Sequence, residues 1–334
     1  MRVVQIADIA QDLNVSRSLV SKVLSGRMGT TMVRPELAES IRLRAAELGY
    51  RKNLSALALH QGRHHAFGVF IHRLGAAGSG LAEELLDGIA TAAAVQNQRL
   101  ILGFFTTDRA CRALLADVHR GSMDGLLLAG VSHLELTAEL LALQQAGMPV
   151  VTVHDAPLAP QLPNVGIDQE RVSRLATEHL IAQGCRLIGH IRDFDSRYRG
   201  YRAALQAYGL PCKPEQVVDS GQVLFAYSTG AQAVQEFAKR GVQIDGIVAQ
   251  SDEEAMGCLN ALACAGRRVP EDVRVIGIDN APYCAFAPVP LSSISQNTRL
   301  QGQRAVELLL QAIDGREVKS IDVLPELVVR ESTG

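Results

Sequence analysis

The chain has no tryptophan, aromatic residues make up only 4% of its 334 positions, and its formal charge nearly cancels at −2. No indole platform is therefore available for stacking. The six cysteines (Cys111, Cys185, Cys212, Cys258, Cys264 and Cys284) are scattered, with no Cys-x-x-Cys pair and no paired histidine spacing. This excludes a recognisable zinc motif or disulfide framework and reads as small buried thiols in a reducing compartment. No charged-then-apolar leader opens the sequence, and no apolar run approaches membrane-spanning length. The expectation is a soluble cytoplasmic protein with no metal, no cofactor and no membrane partner.

Catalytic signatures are equally scarce. Gly75, Gly78 and Gly80 follow an apolar run, but as G-x-x-G-x-G rather than the dinucleotide-binding G-x-G-x-x-G. No Tyr-x-x-x-Lys pair accompanies them, and no Ser/His/Asp or paired-carboxylate constellation stands out. The chain is not expected to be an enzyme.

Hydrophobic residues, by contrast, form 47% of the chain, ample for a large core. The small net charge hides an asymmetry. Up to His65, ten Arg/Lys stand against five acids, a charge of +5; the remaining 23 basic and 30 acidic residues give −7. A basic head on an acidic body confines attraction for polyanions to one end.

That head carries IADIAQDLNVSRSLVSKVL from Ile6 to Leu24. Ile6, Ile9, Ala10 and Leu13 share one helical face, and Val20, Val23 and Leu24 share another further on. Between them Asn14 tolerates the left-handed backbone of a tight turn, Val15 can plug the helix junction and Ser16 is a ready N-cap. Arg17, Ser18, Ser21 and Lys22 remain outward near the second helix's start, where a recognition helix meets base edges. Lys22 and Arg17 suit guanine, whose major-groove edge offers two acceptors. A third helix reads from Arg34 to Leu48, with Pro35 in its first turn and Gly49 as its stop.

From Phe67 onward, short apolar runs alternate with amphipathic helices, the pattern of a parallel α/β sheet. FGVFIH, LILGFF, GLLLAG and PVVTVH form one set. After the proline-rich APLAPQLPN, a second set runs through VGI, RLIGHI, QVVDSG, GIVAQ and VRVIGI, followed by SSISQN and LPELVVR. Two similar lobes place a small-molecule cleft between them.

Ile6 to Gly26 resembles the lac repressor/galactose repressor family of bacterial transcription regulators. The resemblance extends over nearly all of the body through VGIDQERVSRLATEHLIAQGCRLIGHI, SRYRGYRAALQAYGL and VPEDVRVIGIDN. It implies an N-terminal all-α helix–turn–helix domain, 1–50, and a hinge helix and linker, 51–65. A two-lobed periplasmic-binding-protein-like α/β domain for effector binding and dimerisation would follow, 66–334. The first lobe would take about 66–160 plus part of 292–334, and the second about 161–291 plus the C-terminal strand.

Within LGYRKNLSALALHQGRHH the resemblance assigns Leu59 as a wedge inserted into the DNA minor groove. The chain departs from the family at Lys52, where proline is usual, and at Leu57, where arginine is usual. By the same resemblance Ser16, Arg17, Ser18, Ser21 and Lys22 contact operator DNA. The effector, a sugar or sugar derivative, is expected to meet Arg197, Asp279, Ser251, where many members have Asn, and Asp155. The first-lobe loop departs most: His72 and Arg73 stand where a Pro-Asp pair is common, and Leu81 and Ala82 replace two aromatics. Stacking on a sugar would fall to Phe225 or Tyr227. Arg73 together with Arg197 suggests a sugar acid or phosphate.

The expected protein is a homodimeric regulator of operator DNA, of the repressor type, controlled by a ligand. A periplasmic sugar receptor would share the body but lack the helix–turn–helix, and a sensor that had lost DNA binding would share both.

Overall fold

The helix–turn–helix pattern folds as α1 (Ile6–Asp12), α2 (Arg17–Ser25) and α3 (Pro35–Glu47). The computed structural model describes residues 4–25, 32–50, 62–72, 74, 79–118, 123–130, 134–153, 155–220 and 226–334. It divides into two compact units, Met1–His64 and His65–Gly334.

In the first unit Ile9, Ala10, Val20, Val23, Ala38, Ile41 and Ala45 form the core, one stripe from each helix. Asn14 takes φ 49° in the turn between α1 and α2. The Ser16 hydroxyl accepts the Leu19 amide at 3.1 Å and so caps α2. Arg44 of α3 reaches across to Asp12, with Nε 2.8 Å from Oδ2. The hinge residues Lys52, Leu57 and Leu59 lie outside the described residues.

The second unit contains two α/β lobes. The first has β1 (Ala66–Ile71), α4 (Leu81–Val95), β2 (Arg99–Phe104), α5 (Asp108–Val118), β3 (Leu126–Ala129), α6 (Thr137–Gln145) and β4 (Val150–Val153). Its sheet is parallel, in the order β2-β1-β3-β4. After β5 (Val165–Ile167), the second lobe has α7 (Gln169–Ala182), β6 (Ile188–Arg192), α8 (Asp195–Ala207), β7 (Val217–Asp219) and α9 (Tyr227–Lys239). It continues through β8 (Gly246–Val248), α10 (Asp252–Cys264), β9 (Arg274–Asp279) and β10 (Ser292–Ser295).

The chain then returns to the first lobe as α11 (Thr298–Ile313) and β11 (Ile321–Val323), and ends beside the second with β12 (Glu326–Val328). The second sheet runs β12-β10-β9-β8-β6-β7, antiparallel only between β10 and β12. Ala305, Val306, Leu308 and Leu309 of α11 pack with Phe67, Leu85, Ile89 and Leu127, which assigns that helix to the first lobe.

The segment VGI does not enter the second lobe's sheet. It pairs in parallel with Ile321–Val323, a strand too short to stand out in sequence, and Val165 packs into the first lobe's core. The lobes are therefore joined by three crossovers: between β4 and α7, between β10 and α11, and between β11 and β12.

Candidate functional site: the polar cluster at the strand ends

Strand order locates the reactive ends of both lobes. Each sheet reverses its winding once, between β1 and β3 in the first lobe and between β6 and β8 in the second. Diverging loops leave a crevice beyond the carboxyl ends of such strands. His72 follows β1 at the first reversal. Its amide donates to Ala129 O at 2.9 Å and its ring lies 5.2 Å from that of Phe105. Gly130, at φ 112°, lets β3 pass close by: a Cβ there would stand 2.5 Å from His72 O. Arg73 and His154 lie outside the described residues, as does Phe225.

At the second lobe's strand ends the structure brings three sequence-predicted residues into one hydrogen-bonded chain. Arg197, in the first turn of α8, is 4% exposed; its Nε donates to Gln169 Oε1 at 2.7 Å and its Nη1 to the Gln250 carbonyl. Gln169 Nε2 donates to Asp155 Oδ1 at 2.9 Å and to Gln296 Oε1 at 2.8 Å. Gln296 Nε2 continues to Asp279 Oδ1 at 2.6 Å. Asp155, Arg197 and Asp279 are thus linked through two glutamines that the sequence reading passed over.

Asp279 ends β9 at φ 117°, followed by Asn280 at φ 58°. Two successive non-glycine residues in that region cost about 1–3 kcal/mol each, a strain typical of ligand-binding turns. Burial, reinforced by the charge of Asp252, pushes the Asp279 carboxyl up to about 8, while Arg197 opposes the shift. Asp252 is itself raised to about 6 by burial, although Ser293 Oγ and the Ala281 amide donate to it at 2.5 and 2.6 Å. Glu254 lies well above the carboxylate range, first from burial and then from Asp193. His190, stacked 4.4 Å from the Tyr201 ring, is held down near 3 by burial and then by Arg197. It stays neutral at physiological pH.

Ser251 also serves the fold. It is 1% exposed, and its hydroxyl accepts the Glu254 amide at 3.2 Å as the N-cap of α10. Tyr227 opens α9 and is half-exposed. The site positions that sequence reasoning missed are Gln169, Gln250, Gln296, Asp193 and Glu254. All but Glu254, in the first turn of α10, lie at a strand's carboxyl end or a helix's first residue, a placement rule that would have flagged them.

In the first unit, Ser16, Arg17, Ser18 and Ser21 are exposed on or beside the first half of α2, and Lys22, half-buried, stands at the beginning of its last turn. Their surface is hydrogen-bonding and basic. Among the described residues, no group of His, Cys, Asp or Glu could hold a metal ion, and no helix is long and apolar enough to cross a membrane.

Comparison with known proteins supplies relatives for this arrangement. A family model described as a periplasmic binding protein-like domain matches residues 177–333. The HTH-type transcriptional regulator GntR of Pseudomonas aeruginosa is 31% identical, with 98% of this chain and 94% of that protein covered. The solved complex of the transcriptional regulator CelR with cellobiose is 27% identical at a TM-score of 0.71, covering 98% of this chain and 99% of that one. The lac repressor dimer bound to operator and the anti-inducer ONPF shares the fold at a TM-score of 0.82, with 21% identity and 99% of each chain covered.

Proposed function

The chain belongs to the lac repressor/galactose repressor family of bacterial transcription regulators, and on that premise we propose that it is a ligand-controlled repressor. It binds operator DNA sequence-specifically as a cytoplasmic homodimer. Arg17, Ser18, Ser21 and Lys22 read base edges from α2, with Ser16 capping that helix and Leu59 acting as the minor-groove wedge. A sugar or sugar derivative binds between the lobes and sets operator affinity allosterically. His72, Arg73, Asp155, Arg197, Ser251 and Asp279 form its surroundings.

One observation carries this reading: a capped helix with an exposed basic and hydroxylic start occurs in the same chain as a buried arginine–amide–carboxylate cluster at the strand ends. Polyol hydroxyls both donate and accept, and such a cluster offers both partners. Arg197 already donates to two neutral acceptors and offsets the carboxyl groups of Asp279 and Glu254. That arrangement favours an uncharged ligand over the sugar acid or phosphate suggested by Arg73 and Arg197 in sequence. The bound CelR complex, holding cellobiose, is in keeping with it.

The test is selection of bound fragments from a random DNA pool at near-physiological salt. A near-palindromic site with a flexible central step is expected. Absence of enrichment over non-specific DNA, with and without added sugars, overturns the proposal.

A further inference from the structure

The hydrogen-bond chain at the strand ends has a direction fixed by its guanidinium end. The Arg197 guanidinium, at one end, can only donate. Gln169 must therefore turn Oε1 toward Arg197 Nε and Nε2 toward Asp155 Oδ1. Its other Nε2 hydrogen goes to Gln296 Oε1, which leaves Gln296 Nε2 to donate to Asp279. Neither amide can flip without setting donor against donor or acceptor against acceptor.

The chain's place in the fold gives it a consequence. Asp155 lies in the first crossover between the lobes, which ends at Gln169, the first residue of α7. Gln296 lies in the second crossover, where Gln301 of the first-lobe helix α11 donates to its carbonyl at 2.8 Å. Gln169 and Gln296 are 6% and 8% exposed, so water competes little for these bonds. One planar amide thus ties two of the three crossovers to a buried guanidinium.

We infer that Gln169 is a positioning residue that couples occupancy of Arg197 to the angle between the lobes. A ligand acceptor that draws the guanidinium away from Oε1 tilts the whole amide, because all three bonds belong to one rigid group. The bonds to Asp155 and Gln296 then weaken together, and both crossovers are released at once. The inference rests on the cleft being the effector site and adds the route by which occupancy reaches the lobes.

Spin labels at Thr91→Cys in the first lobe and at native Cys212 in the second, with Cys264→Ser, report the inter-lobe distance distribution of the full chain. Thr91, Cys212 and Cys264 are exposed. Q169E keeps an acceptor for Arg197 but turns acceptor against acceptor at Asp155 and Gln296. It is expected to change the ratio of closed to open distances by about tenfold, the scale of ordinary allosteric coupling. Asp155→Asn in the Q169E background returns a donor to the pair and is expected to bring the ratio back toward that of the parent. Q169L, which loses all three bonds, should resemble Q169E.

If Q169E keeps the parent distribution, Gln169 serves only to orient Arg197 and the inference is overturned. The same follows if Asp155→Asn restores nothing. Cooperative thermal melting of each variant separates these results from misfolding. The readout uses neither DNA nor effector, so its failure leaves the regulator reading standing, and failure of DNA selection leaves the relay standing.

Discussion

Asp252 and Ser293 lie 2.5 Å apart, Oδ1 to Oγ, although 41 residues separate them in sequence. The other carboxylate oxygen takes the Ala281 amide at 2.6 Å. Asp252 opens α10, Ala281 follows the strained turn after β9, and Ser293 belongs to β10. One buried side chain therefore fastens a helix start to two strand ends, immediately beside Asp279. Room for it exists because Gly277 faces Oδ1: a Cβ on Gly277 would stand 2.2 Å from that atom.

Asp252→Ala leaves a buried amide and a buried hydroxyl without their acceptor. Unmade buried hydrogen bonds cost about 1–3 kcal/mol each, so a loss of about 2–4 kcal/mol is expected in urea unfolding. A loss under about 0.5 kcal/mol, the range of an indifferent surface change, would show that water takes over both donors.

The titration of Asp279 gives a pH prediction. Its folded-state value, about 8, lies above the ordinary 3.8, so the folded chain holds a proton that the unfolded chain gives up. The stabilising contribution of the protonated group is complete below the ordinary value and is lost as pH rises through about 8. Asp279→Asn removes this dependence. Its melting temperature relative to the parent should improve from pH 5 to about pH 8 and level off above it, and parallel curves would refute the assignment.

Glu254 is held in place by the close crossing of α9 and α10. A Cβ at Gly230 would come 1.8 Å from the Glu254 carbonyl oxygen, a backbone atom that cannot swing aside. Gly230→Ala must therefore push the helices apart. Overpacking of this kind costs about 1–3 kcal/mol, and the displaced Glu254 should weaken any ligand response as well. Unchanged thermal stability in calorimetry would contradict the observed packing.

On DNA, the two kinds of α2 residue should separate cleanly. Lys22→Ala and Arg17→Ala are each expected to cost about 1–3 kcal/mol at one base pair of each operator half-site only. Ser16→Ala removes the cap, at about 1 kcal/mol of helix stability, and should weaken all sequences alike. Binding to a set of single-substituted operators measures both. A uniform loss with Lys22→Ala would move that residue from base reading to phosphate contact.

Much of the architecture is legible in single residues. The faces of Ile9 and Val20, the turn at Asn14 and the cap at Ser16 are local features, set by periodicity and backbone preference within about 20 residues of chain. The strands of both lobes likewise announce themselves as apolar runs. The short β11 does not, because Ile321–Val323 is stabilised mainly by its partner Val165–Ile167, more than 150 residues earlier in the chain.

The site divides along the same line. Asp279 and Asp155 could be singled out by type and by position after a strand, and Arg197 by the family resemblance around it. Gln169 and Gln296 are marked only by their place at a helix start and just past a strand end, since a glutamine carries no charge and acquires its role from what stands opposite. Ser251, also singled out from sequence, has a hydroxyl that the fold uses to cap α10.

The sequence by itself therefore determined most of the secondary structure, the two-lobed α/β body and the helix–turn–helix, because propensity, capping and hydrophobic period act over short stretches of chain. Only the tertiary structure decided which polar groups share a proton, a hydrogen bond or a buried charge. Those energies depend on distance and on exclusion of water, and both are set when segments far apart in the chain are packed together.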